Sequence, residues 1–101
     1  MIEISVEDIE AKLQTHYSGR QPRDRNLHIM KCHDNHGVIG SVYFSLDGSP
    51  PKGSAVYLID HYRLNLYDIE GRRFKQYMNV VVTGLDQYKD VDMYPKQENN
   101  P

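Results

Sequence analysis

The chain has 101 residues, enough for one domain with one hydrophobic core, and it holds no run of about 18 apolar residues that would cross a membrane. A hydrophobic content of 39% with 26% charged residues excludes wholesale disorder. A formal net charge of −2 gives no global pull toward nucleic acid or anionic lipid, and the single cysteine, Cys32, excludes an internal disulfide framework and fits a reducing, cytoplasmic setting.

The N-terminal MIEISVEDIE is acidic and lacks the basic and apolar regions of a signal peptide, so none is expected. Residues 1–4 read as a short strand or extended lead-in. Ser5 then starts a helix, because its hydroxyl can accept from a free N–H of the first turn, and Glu7, Asp8 and Glu10 suit the positive helix end. Val6, Ile9, Leu13 and Tyr17 recur at helical spacing. Gly19 and Pro22 stop the pattern, which places the helix at about residues 6–17.

Residues 18–26 are a loop by composition, with Arg20, Arg23 and Arg25 against Asp24. Residues 27–33 read as a strand, 34–37 as its turn and 38–46 as a second strand, with Val38, Val42, Phe44 and Leu46 on one face and Gly40 as either a bulge or a point of close backbone approach. DGSPPKGS (47–54) is a surface loop by its Gly, Pro and Ser content.

Residues 55–83 carry most of the apolar side chains, in two runs separated by Asp68-Ile69-Glu70-Gly71-Arg72. They read as the central hairpin of an antiparallel sheet. In the first arm Val56, Leu58, Tyr62, Leu64 and Leu66 share one parity, with a bulge or bend expected near Asp60-His61. In the second arm Phe74, Met78, Val80 and Val82 take one face. An edge strand is expected near 88–93, and the polar segment 95–101 reads as a flexible tail outside a single domain of residues 1–94.

The expected fold is therefore α+β, an N-terminal helix packed on one face of an antiparallel sheet of about four or five strands. A small, partly closed barrel of the OB or SH3 type with a plug helix is the competing layout. The expected core is Ile9, Leu13, Leu27, Ile29, Val42, Phe44, Val56, Leu58, Leu64, Leu66, Met78, Val80 and Val82.

Motifs for chemistry are weak. His28, Cys32, His33 and His36, with Asp34, have the right side chains for a transition metal. On a strand, however, His28 and Cys32 lie roughly 13 Å apart, and only His33 and His36 flank a turn tight enough to converge. Asn26-Leu27 before Cys32-His33 resembles the end of an HNH endonuclease motif. The earlier Asp-His pair and the second cysteine of that family are missing, so no residue role is carried over. Gly48 and Gly53 frame a loop of phosphate-binding length, but Ser54 stands where the lysine is required and a strand follows. Asp60 and His61 are adjacent on a strand and point apart, which leaves His61 with Asp68 or Glu70 as the remaining acid–base pairing. No cofactor and no catalytic residue are assigned.

The compositional oddity is tyrosine, eight against two phenylalanines and no tryptophan, a bias that points to interfaces. Tyr57, Arg63, Tyr67, Arg72, Arg73 and Tyr77 are expected to form an exposed Tyr/Arg surface on the central hairpin. The expected role is that of a small non-enzymatic binding protein, a regulator, adaptor or inhibitor of the kind phages and mobile elements encode, contacting a protein partner through this surface. Single-stranded nucleic acid held by the same Tyr/Arg face is the alternative, and a homodimer paired through that face is another. A metal-dependent hydrolase or nuclease built on Cys32, His33 and His36 is the third reading.

Overall fold

The computed structural model describes residues 1–16, 27–33, 35–46, 52–87 and, for the backbone alone, 92–94. Strand β1 (Ile2–Ser5) leads into helix α1 (Val6–His16). Ser5 Oγ accepts from the Asp8 amide at 3.1 Å, the expected N-cap. The helix buries Val6, Ile9 and Leu13 and turns its charged residues outward. Strands β2 (His28–His33), β3 (Ile39–Ser45), β4 (Ser54–Leu58), β5 (Arg63–Tyr67) and β6 (Arg73–Met78) follow, each antiparallel to the next.

α1 packs on one face of this five-stranded sheet, which is open rather than closed into a barrel. Strand β8 (Asp92–Tyr94) extends it by pairing parallel to β2. Strand β7 (Val80–Thr83) leaves the main sheet and pairs parallel to β1, forming a two-stranded ribbon. The α+β expectation therefore holds and the barrel alternative does not. Among the described residues no helix is long and apolar enough to cross a membrane.

The central hairpin is more folded than the sequence suggests. Its turn forms as expected: Gly71 has φ 84°, and Asp68 accepts through Oδ1 from the amides of Glu70 and Arg72 at 3.0 and 2.9 Å. Each arm, however, is two strands. Near Asp60-His61 the chain does not merely bend; it reverses through a 3₁₀ turn (Ile59–His61) and Tyr62 in the left-handed region, φ 50°. Asn79, φ 55°, likewise breaks the second arm and sends β7 to β1. Four residues lie between the paired ends Leu58 and Arg63, an even number, so the inward parity switches across the reversal.

That switch corrects the expected core. On β5 the inward residues are Leu64 and Leu66, as expected; on β4 they are Ala55 and Tyr57, not Val56 and Leu58. Tyr57 is only 5% exposed, whereas Val56 and Leu58 are half-buried on the opposite face. On β6 the inward partner of Leu64 is Tyr77, and Met78 is 56% exposed. Leu27 is only partly buried, and Ile4, Val6, Leu46 and Ala55 join Ile9, Leu13, Ile29, Val42, Phe44, Val80 and Val82 inside.

Gly40 is the extra residue of a bulge: Cys32 pairs with Ser41 and His33 with Ile39. Beyond it the parity shifts, so Ile39 packs on the core and Val38 is exposed. Ser54, read as loop, is a fully buried first residue of β4 opposite Ser45. Tyr17, the loop 18–26, Asp34, residues 47–51 and 88–91, and the tail 95–101 lie outside the described residues.

Candidate functional site: the sheet face opposite the helix

Cross-strand partners share a face, so the register shows what each side of the sheet presents. Toward α1 run two rows, Ile29–Phe44–Ala55–Leu66–Lys75 and Lys31–Val42–Tyr57–Leu64–Tyr77. Away from α1 run Met30–Tyr43–Val56–Asn65–Gln76 and Cys32–Ser41–Leu58–Arg63–Met78. Tyr67 and its partner Arg73 continue this second face past Asn65.

The second face has no described helix over it. Its apolar members, Met30, Val56, Leu58 and Tyr43, are half-buried, Met78 stands out at the edge, and the polar Ser45, Ser54 and Asn65 of the same side are buried. Its charged members on β5 and β6 are Arg63 and Arg73, and on β8 Asp92 is the register partner of Met30. The other acidic residues of the described part sit on β1 and α1 (Glu3, Glu7, Asp8, Glu10) and in turns (Asp60, Asp68, Glu70, Asp86).

Two polar atoms on this face sit out of water without a hydrogen bond, Arg63 Nε and Asn65 Oδ1. They belong to alternate residues of β5, and Asn65 is only 7% exposed. An unmade bond on a shielded polar atom costs about 1–3 kcal/mol relative to a satisfied one. An apolar side chain at either position would avoid that cost.

The six residues expected to form one exposed surface divide. Arg63, Tyr67 and Arg73 lie on the open face. Arg72 is exposed in the β5–β6 turn, 3.7 Å from Glu70 in a solvent-exposed ion pair. Tyr57 faces the helix layer, buried, with its hydroxyl donating to Val80 O at 3.3 Å. Tyr77 also lies on the helix side, within reach of Lys12 and Lys75. Tyr57 and Tyr77 therefore cannot belong to the same surface as Tyr67. Sequence reasoning missed Tyr43, Met30 and Met78; the strand alternation of residues 38–46 already set Tyr43 against Val42 and Phe44, and was the signal available.

Among the described residues no three His, Cys, Asp or Glu side chains converge to hold a metal. Cys32 lies on the open face, and His33 and His36 are both exposed at the β2–β3 turn. His61 and the Asp68–Glu70 turn lie at opposite ends of β5, so the structure does not bring that acid–base pairing together. No known protein family, characterised protein or solved structure matches this chain.

Proposed function

We propose that this is a non-enzymatic binding protein, of the regulator, adaptor or inhibitor kind, that docks a protein partner on the sheet face opposite α1. The observation that carries the reading is the composition of that face. Tyr43, Tyr67, Met30 and Met78 supply large contact area at low entropy cost, and Arg63 and Arg73 supply positive charge on β5 and β6. A partner with an apolar patch rimmed by acidic residues complements it. The two unsatisfied polar atoms on β5 add to the argument, since a partner group that reached them would recover what the free protein forgoes.

The test is substitution of the exposed members once a partner has been captured from the native host. Met78→Glu and Arg73→Glu should each weaken binding at least about tenfold, a loss of roughly 1.4 kcal/mol, with circular dichroism unchanged. Undiminished binding by both variants would remove this face from the interface.

Single-stranded nucleic acid is the second reading, supported by two tyrosines and two arginines on one face. It predicts oligonucleotide binding that weakens as salt rises, with a shallower slope in Arg63→Ala and Arg73→Ala. Failure to bind both DNA and RNA at low salt would end it.

A further inference from the structure

We infer that the free edge of β6 and the cleft beside it form a second contact surface, which takes an extended acidic segment of a protein as an added strand. The inference rests on the reading of the chain as a protein-binding module, but it uses a different surface. β6 ends the main sheet, so one side of its backbone has no ladder partner among the described residues. Such an edge is a template for a further strand.

The side chains around it decide which strand can add. Lys12, Thr15 and His16 of α1 and Phe74, Lys75 and Tyr77 of β6 line a cleft of ≈ 200 Å³ between the helix end and the sheet edge. His16 stacks on Phe74 with ring centroids 3.6 Å apart. Lys12 Nζ and Lys75 Nζ lie 5.9 and 5.2 Å from the centroid of the Tyr77 ring. The two ammonium groups are thus no farther apart than those distances laid end to end. Neither is ion-paired among the described residues. Two cations beside one ring make the cleft locally positive, which favours an anionic side chain there.

Arg73 adds positive charge on the other face of the same strand. Basic residues on an edge strand ordinarily discourage pairing, because an apolar or basic strand, or a second copy of β6, meets unpaired like charge. The same residues favour a strand whose side chains are acidic, so charge here discriminates among strands rather than forbidding them all. Alternate side chains of the added strand would point to the cleft side, where carboxylates meet Lys12 and Lys75 and apolar groups meet the Phe74 and Tyr77 rings.

The experiment uses the isotope-labelled full chain and two short synthetic peptides, one alternating Glu with Val and one alternating Lys with Val. The acidic peptide should shift the amide resonances of residues 73–78, Lys12 and His16 and saturate below about 1 mM, while the basic peptide should not. A Lys12→Glu/Lys75→Glu variant, shown by circular dichroism to be folded, should lose the acidic peptide and gain the basic one. Tyr43→Ala, on the open face, should leave the response unchanged. No shift at 73–78, or equal response to both peptides, overturns the edge site and leaves the open-face reading standing. Displacement of the acidic peptide by inorganic phosphate or by a labelled oligonucleotide at equal concentration overturns it also, by assigning the cleft to a phosphate ligand.

Discussion

Replacing Tyr57 tests the arrangement of the whole sheet. The residue is 5% exposed, sits between Val42 and Leu64 across the ladder, and donates its hydroxyl to Val80 O. Val80 N–H in turn donates to Tyr62 O at 2.9 Å. Val80 is thus tied to the main sheet through both of its peptide groups, and through β7 the parallel partner β1 is tied as well. Tyr57→Phe removes one hydrogen bond and leaves a carbonyl short of a donor, which should cost about 0.5–1.5 kcal/mol. Tyr57→Ala also opens a cavity in the core, and truncation of a buried aromatic costs about 3–5 kcal/mol. Urea unfolding at constant m-value measures both, and in a domain of this size each 1 kcal/mol moves the melting temperature by roughly 4–8 °C. Tyr67→Ala, on the open face, is the matched control and should cost no more than about 1 kcal/mol. Equal losses for Tyr57→Ala and Tyr67→Ala, or a Tyr57→Ala variant as stable as the parent, would refute the inward parity of β4 and with it the composition of the open face.

Other substitutions probe the local devices that build the sheet. Ser5→Ala removes the cap on α1 and should lower unfolding free energy by about 1 kcal/mol in the same titration. Asp68→Ala frees the amides of Glu70 and Arg72 in the β5–β6 turn and should cost about 1–2 kcal/mol, whereas Arg72→Ala, losing only an exposed ion pair, should leave the melting temperature unchanged. Asn79→Gly should be tolerated at φ 55°, while Asn79→Val, β-branched in the left-handed region, should destabilise by about 1–2 kcal/mol or more.

The elements that depend on local chemistry were legible from the residues. The helix follows from its capping serine and apolar spacing and the β5–β6 turn from Gly71, while Gly40 marked the place of the β2–β3 bulge. The reversal between β4 and β5 was not legible, for a physical reason. It is made by Tyr62 in a left-handed conformation that bulky residues rarely adopt, so no glycine or proline marks it. What holds it is tertiary: Tyr62 O accepts from Val80 N, a residue 18 positions along the chain whose own strand is fixed by β1. Read without that contact, residues 55–67 look like one strand of constant parity, and every side chain before the reversal is then assigned to the wrong face. Tyr57 came out exposed and Val56 and Leu58 came out buried for this one reason.

The same reversal decides what the open face offers a partner. Had the parity run through, Tyr57 would stand beside Arg63 and Tyr67, and Val56 and Leu58 would pack under α1. Instead β4 contributes Val56 and Leu58 to the open side, next to Asn65 and Arg63 of β5. Shielded polar atoms are thereby set among aliphatic neighbours, and Arg63 Nε and Asn65 Oδ1 are left unbonded. That arrangement stabilises the free protein less than an all-apolar row would. On the proposed binding role it discriminates among partners, because a purely apolar surface laid over Asn65 and Arg63 leaves both atoms unpaired, whereas one that brings a donor and an acceptor to β5 satisfies them. Asn65→Leu separates the two effects. It should raise the unfolding free energy of the isolated chain, by about 1 kcal/mol or more, and weaken the captured partner in the same variant. A variant that gains stability and keeps its partner would show that the unsatisfied acceptor plays no part in recognition.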